Sequence, residues 1–214
     1  MQIRIKFNKD GYAAYISHLD LLRTFNRMIK RSGIIPEYSK GYNPHSLMTF
    51  LQPSSVGMIS RNDCVELKIV DGYDINTLTE LLKKYAPPGI EIISVTEDVV
   101  PPFSNLCSAK YKVYIKSNKD ICEMENVLKK DAVLIDKKTK KGIKEVDIKP
   151  LIENYEFFSE NDFTVLKLHL KCGSVSNLNP SLIIKAFEKY IDGLKTDELK
   201  IISECMLTDN GEIY

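Results

Sequence analysis

Hydrophobic and polar positions alternate over residues 2–8 (Gln-Ile-Arg-Ile-Lys-Phe-Asn), the two-residue period of a half-buried strand. The period then changes. Ser17, with Asp20 three positions on, makes a near capping box, and Leu21, Leu22, Phe25, Met28 and Ile29 recur at helical spacing as far as the stop signal Gly33. Turn formers fill residues 38–45, and residues 47–51 and 64–70 read as two further strands. Asp74 opens a helix that runs through Tyr85 and ends at Pro87-Pro88-Gly89, and residues 90–95 form a fourth strand. The predicted order is β-α-β-β-α-β, the split βαβ of a ferredoxin-like sandwich.

The rhythm then stops and starts again. Pro101-Pro102 stiffens the chain and blocks strand pairing, so residues 1–100 are expected to form one domain and residues 101–108 a linker. Residues 109–214 repeat the pattern. A strand at 110–116 is followed by a helix at 120–130 and strands at 132–136 and 143–148. Two more strands, at 157–158 and 163–171, precede a helix from Pro180 to Ile191 and a last strand at 199–207. The expected fold class is α+β: two tandem ferredoxin-like (βαββαβ) domains packed through a shared cleft, the second with an extra hairpin. A single irregular α+β domain is the other arrangement this rhythm allows.

Composition narrows the function more than the fold. With 30 Lys+Arg, 29 Asp+Glu and a net charge of +1, the 214-residue chain is no histone-like coat, although a local basic patch stays open. No apolar run reaches the length of a membrane helix, and Met1-Gln-Ile-Arg reads as a strand rather than a signal peptide, so a cytoplasmic protein with no membrane partner is expected. The five cysteines are scattered without a Cys-x-x-Cys pair, which reads as reduced thiols with no metal site, no iron–sulfur cluster and no cofactor. Phosphate-loop, dinucleotide and His-Glu-x-x-His motifs are missing.

Charge is segregated along the chain. Residues 1–45 hold 8 Lys/Arg against 3 Asp/Glu, whereas residues 46–103 hold 4 against 8. Arg23, Arg27 and Arg31 recur every four residues on the first helix, away from Leu21, Phe25 and Met28, and Lys30 sits beside them. Arginines in register can fork onto successive phosphates. The following loop adds Lys40, Tyr42, Asn43 and His45, with Gly41 free to take positive φ and Pro44 holding Asn43 extended. A solvated helix face and a His that only caps backbone groups are the plainer readings of the same residues. The Lys137–Lys141 turn, with four lysines, reads as a solvated hairpin tip, with phosphate contact as the second choice.

Three segments carry a family resemblance: residues 15–23 (Tyr-Ile-Ser-His-Leu-Asp-Leu-Leu-Arg), 31–34 (Arg-Ser-Gly-Ile) and 38–45 (Tyr-Ser-Lys-Gly-Tyr-Asn-Pro-His). Together they resemble the bacterial radical-SAM-linked family, a family of unknown function. The second half fits through Gly142, Val146-Asp147-Ile148, Gly173-Ser174 and Asn179-Pro180. The resemblance implies a chain that occurs free-standing or C-terminal to a radical-SAM protein, often encoded near ribosomal-protein and ribonuclease genes, and so a radical-SAM protein as partner. Two departures remove positive charge: Ser46-Leu47 follows the loop His where the family has a Pro and a basic residue, and Asn179 stands where it tends to carry Arg.

The leading expectation is a non-catalytic RNA-binding or partner-docking module serving a radical-SAM enzyme. In it Arg23, Arg27, Arg31 and Lys40 hold phosphates, while Tyr42, Asn43 and His45 contact a base or the partner. One alternative is a metal-independent endoribonuclease of the tandem ferredoxin-like type, using His45 or His18 with Lys40 and Tyr42. Another is a structural docking protein without nucleic acid.

Overall fold

The computed structural model describes residues 1–53, 55–139 and 142–214. β1 (Gln2–Lys9) leads through a 3₁₀ turn at Gly11–Tyr15 into α1 (His18–Ser32), β2 (Met48–Phe50), β3 (Met58–Lys68), α2 (Ile75–Tyr85) and β4 (Ile90–Thr96). Then come β5 (Leu106–Ser117), α3 (Ile121–Leu128), the hairpin β6 (Leu134–Thr139) and β7 (Gly142–Asp147), β8 (Ile152–Glu160), β9 (Phe163–Lys171), α4 (Pro180–Tyr190) and β10 (Thr196–Thr208). The architecture is mixed α/β: one large mixed sheet and four α-helices among the described residues. No helix among them is long and apolar enough to cross a membrane.

Local chemistry sets the helix ends. Ser17 accepts from the backbone N–H of Asp20, and Gly33 closes α1 at φ +76°, a conformation that costs a residue with a Cβ. Asp74, Asp120 and Asn179 cap α2, α3 and α4 in the same way, each accepting a backbone N–H of the first turn.

The sheet runs β4-β1-β3-β10-β5-β9-β8, with β2 also on β3. In the first half the order is therefore β4-β1-β3-β2, and in the second β10-β5-β9-β8, with antiparallel pairing throughout each set. One strand joins the two. β3 gives residues Val65–Leu67 to β2, while its first residues pair in parallel with β10 as Met58↔Ile201, Ile59↔Ile202 and Ser60↔Ser203. The halves thus meet edge to edge in a continuous sheet, not across a cleft as the sequence rhythm suggests.

Element bounds differ from the sequence reading where polar residues interrupt the alternation. β5 starts at Leu106, inside the stretch expected as a linker. β3 starts six residues before the expected Cys64, because Asn62 at φ +52° and the register slip between Phe7↔Asp63 and Lys9↔Ser60 mark a bulge that breaks its period. β8 spans Ile152–Glu160 rather than Phe157-Phe158 alone. In the Lys137–Lys141 turn, Lys140 and Lys141 lie outside the described residues.

Both helix pairs cover the same side of the sheet. Ile3, Ile5 and Phe7 of β1 pack with Leu21, Phe25 and Met28 of α1, while Tyr111 and Val113 of β5 pack with Phe187 of α4 and Met124 of α3. Cross-strand partners face alike, and the row Lys9–Ser60–Ser203–Tyr111 links the two cores on that side. Three rings centre the first core: Phe25 lies 4.8 Å from Phe7 and 5.3 Å from Phe50 between centroids. On the opposite side, Arg4 is buried under the segment between the halves. Its guanidinium donates to Glu66 Oε1 and to the carbonyls of Val99 and Pro101, each at 2.6 Å, and lies 4.8 Å over the Phe103 ring. The remainder of that open side in the second half is bare sheet.

Candidate functional site

α1 presents its arginine stripe as its spacing requires. Leu21, Phe25, Met28 and Ile29 are buried, and Arg23, Arg27 and Arg31 are exposed on the other side. The three are not equivalent. Arg23 donates to Asp20 Oδ1 at 2.9 Å, and Asp20 is held below the usual carboxylate range, first by the Ser17 hydroxyl and then by Arg23. Arg31 donates to the Tyr85 carbonyl at 3.2 Å, at the C-terminus of α2. Among the described residues no acid pairs with Arg27, Lys30 or Arg31. These three cations, with Thr24 and Pro87, line a cavity of about 360 Å³ between α1 and the end of α2.

The loop after α1 is a closed structure of its own. Tyr38 bridges to Ser46, the Ser39 N–H donates to the His45 carbonyl at 2.8 Å, and His45 Nδ1 meets Ser39 Oγ at 2.9 Å. Gly41 makes the turn at φ +140°, and Lys40, Tyr42 and Asn43 are exposed, Tyr42 completely. Ser46 Oγ donates to Asn26 Oδ1 at 2.6 Å and so ties the loop to the flank of α1. His45 nonetheless lines a different cavity, of about 260 Å³, with Gln2, Glu66 and Lys68. His18 is half-buried with its ring edge-on to Phe50, 5.3 Å between centroids, and its Nδ1 is buried without a partner among the described residues. The two histidines thus stand in separate surroundings. Arg27 and Arg31 share one cavity, and His45 opens on another. No group of three His, Cys, Asp or Glu among the described residues is placed to hold a metal ion.

Two features escape sequence reasoning. The first is buried. Lys9 continues the apolar row Ile3-Ile5-Phe7 and, like Ser60, Asp63 and Ser203, is almost entirely removed from solvent. Lys9 Nζ, Ser60 Oγ, Asp63 Oδ2 and Ser203 Oγ lack hydrogen-bond partners among the described residues. Burial pushes the Asp63 carboxyl up to about 7, against the pull of the Cys64 N–H and the Lys9 charge; burial likewise lowers Lys9.

The second is the open side of β10-β5-β9-β8. Its registered rows read Lys200↔Tyr114↔Val165↔Phe158, then Ile202↔Lys112↔Lys167↔Glu156, then Lys110↔His169↔Asn154. Lys112 lies 4.7 Å over Tyr114 and 5.6 Å over Phe158, and Lys167 lies 5.0 Å over Phe158. Glu160 and Glu156 hold Lys112 and Lys167 at 3.1 and 3.3 Å. The signal was present as Lys110-x-Lys112-x-Tyr114-x-Lys116 and Lys167-x-His169-x-Lys171, the polar phase of two alternating strands.

Among solved structures, a chain of the "Crystal Structure of a Cbf5-Nop10-Gar1 Complex" is similar in fold, with TM-score 0.50 and 9% identity. The match covers 93% of this chain and 47% of that one, so this chain spans about half the length of that relative. An unknown protein from Galdieria sulphuraria is matched over 94% of this chain and 97% of its own, with 14% identity and TM-score 0.23. No curated protein matches the sequence. A family profile, by contrast, takes in residues 2–180, including α1, its arginine stripe and the Tyr38–His45 loop, and on that match the chain belongs to DUF2344, a family of uncharacterised proteins conserved in bacteria.

Proposed function

We propose that this chain is a non-catalytic RNA-binding module that serves a radical-SAM enzyme, built of two ferredoxin-like units. The order β4-β1-β3-β2, met again as β10-β5-β9-β8, supports the paired-unit reading. The RNA reading is carried by one observation: Arg27, Lys30 and Arg31 line one cavity that no acid among the described residues lines, and none of the three makes an ion pair, Asp20 being engaged by Arg23. Unpaired cations this close repel one another, and a phosphate is the simplest group that relieves the repulsion. Lys40, Tyr42, Asn43 and His45 belong to the loop that Ser46 ties to Asn26 of α1, and in this reading they meet the same strand or the enzyme from a surface apart from the arginine cavity. The enzyme partner is inferred from the resemblance of residues 15–45 alone.

The test is RNA binding by the full chain at two salt concentrations. Arg27→Ala should weaken binding to every sequence and reduce the salt slope by about one phosphate's worth. An unchanged slope would remove the arginine cavity from the interface. Co-purification with a radical-SAM protein tests the partner separately.

A further inference from the structure

We infer that the open side of β10-β5-β9-β8 is a second, single-strand-specific RNA surface, on which bases stack against Tyr114 and Tyr15 while Lys110, Lys171 and Lys200 meet phosphates. The inference rests on the RNA-binding reading above and adds the surface, the strand type and the mode of contact. Sheet geometry comes first. A four-stranded sheet with helices on one side leaves its other side flat, and side chains there project every second residue. Here the row Lys200–Tyr114–Val165–Phe158 carries one cation and two rings about the buried Val165, and the next row, Ile202–Lys112–Lys167–Glu156, sets two lysines beside those rings. Lys112 and Lys167 are held by Glu160 and Glu156, so they serve to fix the rings. Among the described residues no acid lies within ion-pairing distance of Lys110, Lys171 or Lys200, although the Lys200 charge acts on Asp10 across the cavity they both line.

The platform also continues past its own edge. Lys200 lies 6.0 Å over Tyr114 and borders a cavity of about 420 Å³, the most spacious of those described above, at the seam of β3 and β10. The 3₁₀ turn after β1 supplies the far wall with Tyr12 and Tyr15, which are 93% and 70% exposed. Two tyrosine rings this exposed on one ordered turn offer free faces on which a base can stack. A base sheltered in a duplex cannot reach such rings, whereas an unpaired one can. Of the carboxylates on these linings, Asp10 is paired with Arg61 and Glu156 with Lys167, which leaves Glu198 and Glu204 as the acids an approaching phosphate would meet beside Lys200 and Lys110.

The full chain is titrated into a short oligouridine carrying 2-aminopurine, whose fluorescence falls when it stacks on a tyrosine. Binding should quench it, and Tyr15→Ala and Tyr114→Ala should each weaken binding roughly tenfold and restore the signal. Lys200→Ala should lower the salt slope by about one, and the duplex of the same sequence should fail to compete. Should Tyr114→Ala unfold, Tyr15→Ala decides, since that ring is mostly in solvent. Binding that falls with Arg27→Ala but not with Tyr15→Ala or Lys200→Ala overturns the platform alone. Loss with the platform variants but not with Arg27→Ala supports the platform and overturns the arginine cavity. A wild-type chain that binds no oligonucleotide overturns both.

Discussion

Replacing Asp63 by Asn should flatten the pH dependence of stability. Asp63 has no exposed surface, and burial raises its carboxyl from 3.8 to about 7. The folded protein therefore binds this proton more tightly than the unfolded chain. Its contribution is present in full below about pH 4 and is lost as pH rises through 7. A carboxyl raised that far holds its proton about 4 kcal/mol more tightly when folded, and about 3 kcal/mol of this is lost between pH 5 and pH 8. Urea denaturation of wild type and Asp63→Asn at those two pH values gives four midpoints. The difference of differences cancels the constant cost of a buried amide and the titration of every surface carboxylate. Wild type should lose about 3 kcal/mol more than the variant. In a Lys9→Met background the gap should widen, because Lys9 pulls the Asp63 carboxyl down. Equal slopes for the two proteins would refute the reasoning, since they would mean that Asp63 is ionised in the folded state with its charge already met.

Phe25→Ala should cost about 3–5 kcal/mol by urea denaturation, since the ring is fully buried between Phe7 and Phe50; a loss under about 1 kcal/mol would mean that α1 packs in another phase. Arg4→Met should cost about 3 kcal/mol or more by leaving the Glu66 charge with only the neutral Gln2 amide and the Val99 and Pro101 carbonyls without their donor. Limited proteolysis should then cut the segment between β4 and β5 first, and an unchanged digestion pattern would show that Arg4 does not hold it.

How much of this was legible depended on which side of an element did the work. α1 could be read almost to the residue, because Leu21, Phe25 and Met28 contrast with Arg23, Arg27 and Arg31 at one period, and Ser17 and Gly33 mark its ends. The start of β3 is hidden because Asn62 breaks its alternation, and the strand read over residues 2–8 stops one short of Lys9, which occupies a core position. Periodicity names the side that is buried and says nothing of what the polar side assembles across strands. Lys112 and Phe158 are 46 positions apart and come together only through β9. The pairing of β3 with β10 depends on register between distant segments, which no local pattern encodes.

The sharing of β3 between β2 and β10 has a consequence for how the chain folds. Apart from the three pairs of β2 with β3, the ladders within each set are long, from six pairs for β1 with β4 to eleven for β10 with β5. The junction has three, and it joins Met58 to Ile201, across most of the chain. Closing so large a loop costs entropy that three pairs cannot recover until both partners are already ordered. Each half must therefore assemble first, and the junction must form last and open first. Until it forms, the leading residues of β3 and the edge of β10 are unpaired, so the folding chain carries two complementary sticky edges that a second molecule could satisfy. Amide exchange at Ile59 and Ile202 should outrun exchange at Val65 and Val113, and high protein concentration during refolding should favour exchanged dimers joined at this strand pair.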